Sequence, residues 1–288
     1  MAGFTSARIG GPADALLVVR SADELVEAVQ SLCRLNLPHL ILGGGSNVLV
    51  SDLGIRAVVI INRARAIRFF KETEPPAVWA ESGAPLNDIA QHAADLGLGG
   101  LEWASHIPGT LGGAVYGNAG AFDGTMAGNL FTVELFHCQR GRETWPVEKM
   151  SYGYRSSVLK EQPEKAVILA AKLLLKHAES VEIKGKMKVF SDRRKQNQPR
   201  GASMGSVFRN PTGTSAGRLI DAAGLKGKRI GDAEINSRHA NFFINRGTAR
   251  ADDFLSLIKL ARENVREKFN VDLELEIELI GDWKERSI

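Results

Sequence analysis

Three consecutive glycines, Gly43, Gly44 and Gly45, follow an apolar run at residues 38–42 that has the composition of a buried strand. Because glycine has no side chain, the backbone can turn sharply there and approach a ligand closely. Successive N–H groups in such a turn form a nest for an anion, and the nest suits a pyrophosphate. Two further side-chain donors follow at once, Ser46 and Asn47. An ordinary tight turn after a strand is the alternative.

A second glycine-rich segment, at residues 107–121, is dense in small residues and indicates a backbone pressed against a flat or extended ligand. A structural glycine-rich loop is the alternative here. No Gly-Lys-Ser/Thr follows the first glycines, which excludes a Walker loop, and the GxGxxG pattern of a nicotinamide-binding Rossmann fold is missing. Two such loops in one domain favour a dinucleotide ligand.

Hydrophobic periodicity predicts mixed helices and strands. A helix to residue 35 is expected to begin at Ser21, with Glu24 completing a capping box. Other predicted helices cover residues 87–96, 215–223 and 252–269, and predicted strands cover residues 15–20, 38–42, 56–62, 77–81, 132–138, 167–175, 240–245 and 273–280. Residues 109–128 are predicted to be loop-rich, and a basic, helical segment at residues 176–200 marks a domain boundary.

The chain of 288 residues, 44% of them hydrophobic, is long enough for about two domains. A net charge of +4 is too small and too dispersed to indicate nucleic acid. The one tight basic run, residues 193–195, is interpreted as a solvated face, with an anion site as the alternative. Neither a signal peptide nor a membrane-spanning segment is predicted. Cys33 and Cys138 are far apart in the chain and are predicted to be separate buried thiols in a reducing compartment.

Polar residues that could carry chemistry occur at three places. Arg155 follows Tyr154 and could hold a carboxylate with two hydrogen bonds, although an arginine stacked on a surface tyrosine is the simpler interpretation. Ser206 could be a nucleophile, an acid or a turn residue, and its context is not the GxSxG elbow. Alternation in the predicted last strand puts Glu274, Glu276 and Glu278 on one face, which is usually the solvent face. Histidine spacing predicts no metal site.

Taken in order, these motifs resemble the UDP-N-acetylenolpyruvoylglucosamine reductase family. The resemblance covers nearly the whole chain and is carried by residues 8–13, 43–49, 100–102, 107–121, 153–155, 205–211, 216–221, 224–227, 239–242 and 276–281. It implies an α+β fold, in which a two-part FAD-binding module of the vanillyl-alcohol-oxidase type precedes a smaller α+β substrate-binding domain. The implied boundaries are residues 1–65 and 66–178 for the two FAD-binding parts and 179–288 for the substrate domain, whose last strand could return to the FAD-binding part.

The resemblance also implies a reaction. NADPH reduces FAD, and hydride then passes to the enolpyruvyl group of UDP-N-acetylglucosamine enolpyruvate, giving UDP-N-acetylmuramate for peptidoglycan synthesis. A cytoplasmic, monomeric flavoprotein reductase without nucleic-acid or membrane partners is therefore expected. A flavin oxidase of small alcohols or sugars, and a UDP-sugar-binding protein without flavin chemistry, are the alternatives.

Roles for individual residues follow from the resemblance. Arg155 matches an arginine that stabilises the enolate, Ser206 the general acid, and Glu276 a glutamate that polarises the substrate or manages the proton. The implied substrate-binding residues are Tyr154, Arg209 and Asn210. The implied FAD-binding residues are Gly43, Gly44, Gly45, Ser46, Asn47, Pro108, Gly109, Thr110, Gly112, Gly113, Asn118, Ala119 and Gly120.

This chain resembles the shorter subgroup of the family, which lacks an extra tyrosine-bearing loop in the substrate domain. Four positions depart from the usual family pattern, namely Trp103, Phe122, Leu159 and Arg209. None of them removes a residue with an implied catalytic role. Phe122 stands where tyrosine is common and lacks its hydroxyl group, so any ligand contact that the tyrosine hydroxyl would make is not expected in this chain.

Overall fold

The computed structural model describes residues 1–161 and 166–283 and separates into two compact units. Unit 1 comprises Met1–Asp14, Gly45–Ala57 and Arg194–Ile288. Unit 2 comprises Ala15–Gly44 and Val58–Arg193. Helices and antiparallel sheets occur together, as the predicted α+β class requires.

The described α-helices are α1 (Ala22–Arg34), α2 (Leu86–Asp95), α3 (Leu111–Tyr116), α4 (Met126–Asn129), α5 (Val158–Glu161), α6 (Ser180–Asn197), α7 (Ala216–Ala222) and α8 (Ala251–Phe269). The described strands are β1 (Ala13–Val19), β2 (His39–Leu42), β3 (Val48–Val50), β4 (Ile55–Asn62), β5 (Ile67–Phe70), β6 (Ala77–Glu81), β7 (Leu98–Gly99), β8 (Gly120–Ala121), β9 (Gly124–Thr125), β10 (Leu130–His137), β11 (Gly141–Pro146), β12 (Ala166–Leu174), β13 (Lys176–His177), β14 (Arg229–Ile230), β15 (Ala233–Ile235), β16 (Phe243–Asn245) and β17 (Glu278–Ile280).

A five-stranded antiparallel sheet, in the order β11-β10-β12-β6-β5, forms the centre of unit 2. Apolar side chains of α2, α3 and α6 pack with those of β6, β10 and β12 in one buried cluster. A second cluster joins α1 to Phe136, Val167 and Leu169 of the same sheet and to Ile60 of β4. Strand β4 lies in a three-stranded sheet of order β1-β4-β2, in which β2 and β4 are parallel.

The predicted capping box at the start of α1 forms with one difference. Ser21 Oγ accepts a hydrogen bond from the Glu24 N–H at 3.1 Å, as an N-cap residue should. The Glu24 carboxylate accepts from the Arg20 N–H at 2.7 Å, one residue before the cap. Both bonds satisfy backbone donors at the helix entrance, so this local signal predicted the start of α1 correctly.

Unit 1 is built around α8, whose buried face packs against the β14-β15-β16 sheet and α7. The apolar spacing that predicts this helix is confirmed at Phe254, Leu257, Ile258, Ala261 and Val265, all of which are buried. Phe269, the last residue of the predicted apolar face, is instead 38% exposed. Strands β3 and β17 form a separate parallel pair in which Val48 lies opposite Glu278. This pair connects the chain after the first glycines to the chain after Glu276.

Two predictions of local structure are wrong. The segment at residues 109–128 is not mainly loop, because it contains α3, the β8–β9 hairpin and the first residues of α4. The predicted strand at residues 273–280 is present only from Glu278, so the alternation does not place Glu274 and Glu276 on a face of a regular strand. Residues 274–276 are instead paired with another segment of unit 1 through single backbone bonds.

The prediction of two separate buried thiols is also wrong. Cys33 of α1 and Cys138, directly after β10, are joined by a disulfide with a Cα–Cα distance of 6.3 Å. Their separation of 105 residues concealed this proximity, which arises because α1 packs on the sheet that contains β10. A reducing compartment therefore cannot be inferred from these cysteines. Among the described helices, none combines the length and the apolar character that crossing a bilayer requires.

Candidate active site

The two glycine-rich segments meet in unit 2. A Cβ atom on Gly43 would lie 2.3 Å from Thr110 Oγ1, and one on Gly44 would lie 2.9 Å from Gly109 Cα. Both distances are shorter than real Cβ contacts, so these glycines let one loop pack directly against the other. The Arg63 guanidinium donates to the Gly43 carbonyl at 3.2 Å and further fixes the first loop. The predicted cofactor residues on both loops are therefore neighbours.

The first loop continues into unit 1 with Gly45, Ser46 and Asn47. Gly45 has a φ of 60°, and a Cβ there would lie 2.1 Å from the Phe4 carbonyl oxygen, so the protein itself requires glycine. Ser46 is half-buried just before Asn47. The Asn47 side chain donates to the Glu276 carbonyl at 3.0 Å, and its backbone carbonyl accepts from the Glu278 N–H. Asn47 therefore holds the segment of Glu276, a role that the sequence did not predict.

The second segment turns from Pro108 through Gly109, with a φ of 114°, into α3. Gly112 packs on Ser82, because its Cβ would lie 2.9 Å from Ser82 Cβ and its N–H donates to the Ser82 carbonyl at 2.8 Å. Gly113 differs, since it is exposed and, apart from the helix backbone, its Cβ would meet only Thr110 Oγ1 at 4.0 Å. The described protein therefore explains glycine at position 112 but not at position 113.

Asn118 and Ala119 lead from α3 to Gly120, the first residue of β8 in the β8–β9 hairpin. The buried Asn118 side chain donates to the Gly153 carbonyl at 2.8 Å and accepts from the Ala127 N–H at 3.0 Å. The Ala119 carbonyl accepts from the Met126 N–H at 2.8 Å. The Asn118 side chain is thus satisfied by the protein and fixes the loop that contains Arg155.

The Gly120 carbonyl and the Tyr154 ring, both in unit 2, lie against the Arg155 guanidinium. Its Nη2 donates to the Gly120 carbonyl at 2.8 Å, and its Cζ lies 5.2 Å from the centre of the Tyr154 ring. Tyr154 is 54% exposed. The structure therefore contains the arginine stacked on a surface tyrosine that the sequence favoured as the simpler interpretation of Arg155. The backbone of Arg155 has a φ of 56°, a conformation that non-glycine residues seldom adopt and that is often found at functional sites.

Ser206 and Glu276 belong to two segments that run antiparallel in unit 1. The Glu276 N–H donates to the Val207 carbonyl at 2.9 Å, and the Arg209 N–H donates to the Glu274 carbonyl at 2.8 Å. Phe208 and Leu275 form the bridge between these two bonds. The fold therefore brings together two of the three residues predicted to be catalytic, although the predicted strand is not the element that does so.

Buried Asn241 holds the Ser206 segment and was not predicted from the sequence to have a role. Its side chain accepts from the Phe208 N–H at 2.9 Å and donates to the Phe208 carbonyl at 2.8 Å, while its carbonyl accepts from Val207. Burial lowers the pKa of neighbouring His239, so its imidazole is neutral near pH 7 and can accept from the Asn241 N–H at 3.3 Å. The position of Asn241 in the motif at residues 239–242 was the only signal in the sequence.

The predicted substrate-binding residues of unit 1 have protein partners. Arg209 Nη1 lies 3.5 Å from a carboxylate oxygen of Glu274, and the Asn210 side chain accepts from the Ala216 N–H at 3.1 Å. A cleft of about 450 Å³ also opens in unit 1, lined by Lys195, Pro199, Arg200, Asn236, Ser237 and Arg238. Three of these six residues are cationic, so the cleft suits an anion. Lys195 belongs to the basic run for which an anion site was the alternative interpretation.

Within the part of the chain that the structure describes, no group of three or more His, Cys, Asp or Glu side chains could hold a metal ion.

Two family models match the chain. Residues 13–136 match the FAD binding domain, and residues 196–280 match the C-terminal domain of UDP-N-acetylenolpyruvoylglucosamine reductase. The first match contains both glycine-rich segments, and the second contains Ser206, Asn241 and Glu276.

Similar proteins span almost the same length. UDP-N-acetylenolpyruvoylglucosamine reductase of Chloroflexus aggregans is 41% identical over 283 residues, which cover 97% of this chain and 95% of that protein. The enzyme of the same name from Rubrobacter xylanophilus is 40% identical, with coverage of 97% and 93%. The crystal structure of UDP-N-acetylenolpyruvylglucosamine reductase from Thermus caldophilus superimposes with a TM-score of 0.83 at 38% identity, covering 97% of this chain and 96% of that one.

Proposed function

Because the chain belongs to the UDP-N-acetylenolpyruvoylglucosamine reductase family, we propose that it reduces UDP-N-acetylglucosamine enolpyruvate to UDP-N-acetylmuramate. The reaction uses FAD, takes its reducing equivalents from NADPH and serves peptidoglycan precursor synthesis in the cytoplasm. The observation that carries the proposal is identity of 41% over 283 residues, which cover 97% of the chain. We further propose that the protein acts as a monomer, with residues 1–65 and 66–178 binding FAD and residues 179–288 binding the substrate.

The backbone around the two glycine-rich segments fits a dinucleotide. Gly43 and Gly44 pack on Gly109 and Thr110, so two loops with little side-chain bulk form one continuous surface in unit 2. Gly113 lies next to this surface, and apart from its own helix backbone a Cβ there would meet only Thr110 Oγ1, at 4.0 Å. Residues of these loops would hold FAD mainly through backbone groups, as in anion-binding nests. Bound FAD supplies the transfer of hydride between NADPH and the substrate.

The chain's own residues would then manage charge and protons on the substrate. When hydride forms a C–H bond at the terminal methylene carbon, the electron pair of the double bond moves to the neighbouring carbon and its carboxylate. The Arg155 guanidinium stabilises this developing negative charge. Ser206 delivers its hydroxyl proton to the neighbouring carbon, which completes the saturated product. Glu276 polarises the substrate or returns a proton to the serine.

The cationic cleft of unit 1 would bind the diphosphate of the substrate. Lys195, Arg200 and Arg238 present positive charge in the same unit as Ser206 and Glu276. Arginine and lysine are the side chains that bind phosphate oxygens most strongly, which supports binding of a nucleoside-diphosphate sugar. Arg209 and Asn210 lie in the segment that continues from Ser206 and would complete the substrate site.

Absorbance of the purified protein tests the proposal against its two alternatives. The protein should be yellow, NADPH should bleach it without oxygen, and the enolpyruvyl substrate should then restore the colour. A flavin oxidase would instead be bleached by a small alcohol or sugar and recover its colour with oxygen. If the protein stays colourless after incubation with FAD but binds UDP-sugars, the proposal is wrong and the protein is a UDP-sugar-binding protein.

A further inference from the structure

Two phenylalanine rings stack in unit 2, outside the residues discussed for catalysis and binding. Phe122 lies between β8 and β9, and Phe190 belongs to α6. Their ring centres are 4.2 Å apart, and their planes differ by only 4°. Both residues are half-buried. The stack therefore ties the tip of a two-residue hairpin to a long helix.

The hairpin has a backbone that its own residues do not favour. Ala121 pairs with Gly124, which leaves Phe122 and Asp123 as the two turn residues, with φ values of 48° and 63°. Positive φ at both positions is the pattern of a type I′ turn, for which Asn and Gly are the preferred residues. Phenylalanine is disfavoured at positive φ, so a contact outside the turn must offset its strain. The Phe190 ring supplies such a contact.

The same hairpin holds the Arg155 guanidinium. Gly120, the first residue of β8, accepts the hydrogen bond from Arg155 Nη2 at 2.8 Å. A Cβ atom on Gly120 would lie 3.3 Å from Arg155 Nη1, so the guanidinium lies close along the strand. The ring of Tyr154 is also near the guanidinium but is 54% exposed and restrains it less. A shift of the hairpin would therefore move a hydrogen-bond acceptor of Arg155.

We propose that Phe122 and Phe190 are positioning residues for Arg155, acting through the β8–β9 hairpin and the Gly120 carbonyl. The inference rests on the proposed function, in which the guanidinium must meet the charge that develops on the substrate. Electrostatic stabilisation depends on donors fixed in place before the reaction, and a displacement of about 1 Å can cost roughly 10²-fold in rate. Loss of one ring leaves Asn118 and the β8–β9 bonds, so a smaller effect is expected.

Rapid-mixing absorbance measurements on the FAD-loaded protein test this inference. Phe122→Ala and Phe190→Ala should each slow reoxidation by the enolpyruvyl substrate by about 10-fold, with unchanged bleaching by NADPH and unchanged FAD occupancy. The double variant should be no slower than either single variant, because both rings act through one contact. Phe122→Tyr, which keeps the ring, should stay within about twofold of the parent. Phe131→Ala removes a 48% exposed ring of β10 and serves as the matched control.

Coupling to Arg155 separates this inference from a general structural effect. In an Arg155→Lys background, Phe122→Ala should cause no further slowing. Parent-like reoxidation of Phe122→Ala, equal slowing of both half-reactions, or full additivity with Arg155→Lys would each overturn the inference. If the alanine variants do not fold, Phe122→Leu and Phe190→Leu replace them in the same measurements, because leucine keeps most of the side-chain volume and lacks the ring. If turnover of the Arg155→Lys variant is unchanged, both the proposed role of Arg155 and this inference are refuted. If the Arg155→Lys variant is slow and the Phe122→Ala variant has the parent rate, only the inference is refuted.

Discussion

The two units present their candidate residues by different means. In unit 2 the predicted cofactor residues are mostly backbone positions, where Gly43 and Gly44 pack directly on Gly109 and Thr110. In unit 1 the predicted catalytic residues are side chains, and their position depends on two paired backbone segments and on Asn241. Substitutions in unit 2 should therefore alter mainly cofactor binding, and substitutions in unit 1 should alter mainly the chemistry that follows.

The comparison also shows that a glycine-rich segment is ambiguous evidence for a ligand. A Cβ on Gly43, Gly44 or Gly112 would collide with other atoms of the protein, so packing alone explains those glycines. Gly113 has no comparable neighbour among the described residues apart from its own helix backbone. A ligand explanation can therefore be tested at Gly113 without disturbing the packing that fixes those three glycines.

The largest effect is expected at Ser206, where the side chain matters and the cofactor loops are untouched. Ser206→Ala removes the proton donor without adding bulk, so FAD should bind and NADPH should bleach it at a near-normal rate. Reoxidation by the enolpyruvyl substrate should slow by about 10²–10⁴-fold, the usual range for a lost general acid. Rapid mixing resolves the two half-reactions.

Ser203→Ala is the matched control, because Ser203 lies on the same segment and has no proposed role. It should leave both half-reactions at the parent rate. If Ser206→Ala reoxidises as fast as the parent, Ser206 is not the proton donor. Impairment of both half-reactions would instead indicate a structural serine.

Arg155→Lys tests whether unit 2 contributes only to cofactor binding. Arg155 lies in unit 2, but its proposed role is in the chemistry of the substrate and depends on its side chain. Lysine keeps the charge and loses the planar fork that donates to Gly120. Turnover should fall by roughly 10²-fold, with FAD occupancy unchanged. Arg68→Lys, at another arginine stacked on an aromatic ring, should have no effect on turnover. Normal turnover of Arg155→Lys would leave Arg155 as a surface arginine stacked on tyrosine.

Paired valine substitutions at Gly112 and Gly113 sharpen the comparison within unit 2. Gly113→Val should raise the dissociation constant of FAD by roughly 5–150-fold, the equivalent of about 1–3 kcal/mol of overpacking, and leave the stability of the apoprotein unchanged. Gly112→Val should lower that stability, because its side chain meets Ser82. Titration with FAD and denaturant unfolding of the apoproteins distinguish the two effects.

Gly44→Val is also expected to yield largely apoprotein, but its Cβ would stand 2.9 Å from Gly109 Cα. Its loss of FAD would therefore not separate contact with the ligand from displacement of the loop. Parent-like FAD affinity in Gly113→Val would show that no ligand approaches α3 at that position. Full flavin occupancy in Gly44→Val would contradict the placement of the whole loop.

Elements with strong periodicity could be predicted from the sequence. The strand at residues 77–81 has the predicted bounds, and α8 begins only one residue before the prediction. The helix has a long pattern of apolar residues on one face, and the strand is a short run of mostly buried residues. The proximity of Ser206 and Glu276 had no such local signal, since it depends on single bonds between segments about seventy residues apart in the sequence.

The β8–β9 hairpin could not be predicted for a different reason. Its turn residues, Phe122 and Asp123, lack the Asn-Gly signal, and the contact that offsets their backbone strain comes from distant Phe190. The contribution of residues 1–14 and 45–57 to unit 1 likewise has no trace in composition or periodicity. Both features depend on contacts between residues far apart in the sequence, and local propensity carries no information about such contacts.

The disulfide should have the smallest effect on the reaction and should affect the stability of unit 2. Cys33 and Cys138 both lie in unit 2, and the bond closes a loop with a sequence separation of 105 residues. Cys33→Ser with Cys138→Ser should lower the free energy of unfolding by about 2–4 kcal/mol, because the unfolded chain gains freedom, while turnover stays at the parent value. Tryptophan fluorescence during denaturation reports mainly on this unit, because Trp79, Trp103 and Trp145 lie in it and Trp283 lies in unit 1.

A reducing agent provides the control for that measurement. It should lower the stability of the oxidised parent by about the same 2–4 kcal/mol and leave the double serine variant unchanged. Because the disulfide constrains only unit 2, the half-reactions of folded protein should be the same with and without the reductant. If the parent as purified shows two titratable thiols under non-reducing denaturation, the bond is not formed in the protein, and the sequence-based prediction of two thiols would be restored. If reduction instead slows reoxidation by the substrate, the disulfide also constrains the position of Arg155, and the assumed independence of stability and chemistry in unit 2 would be wrong.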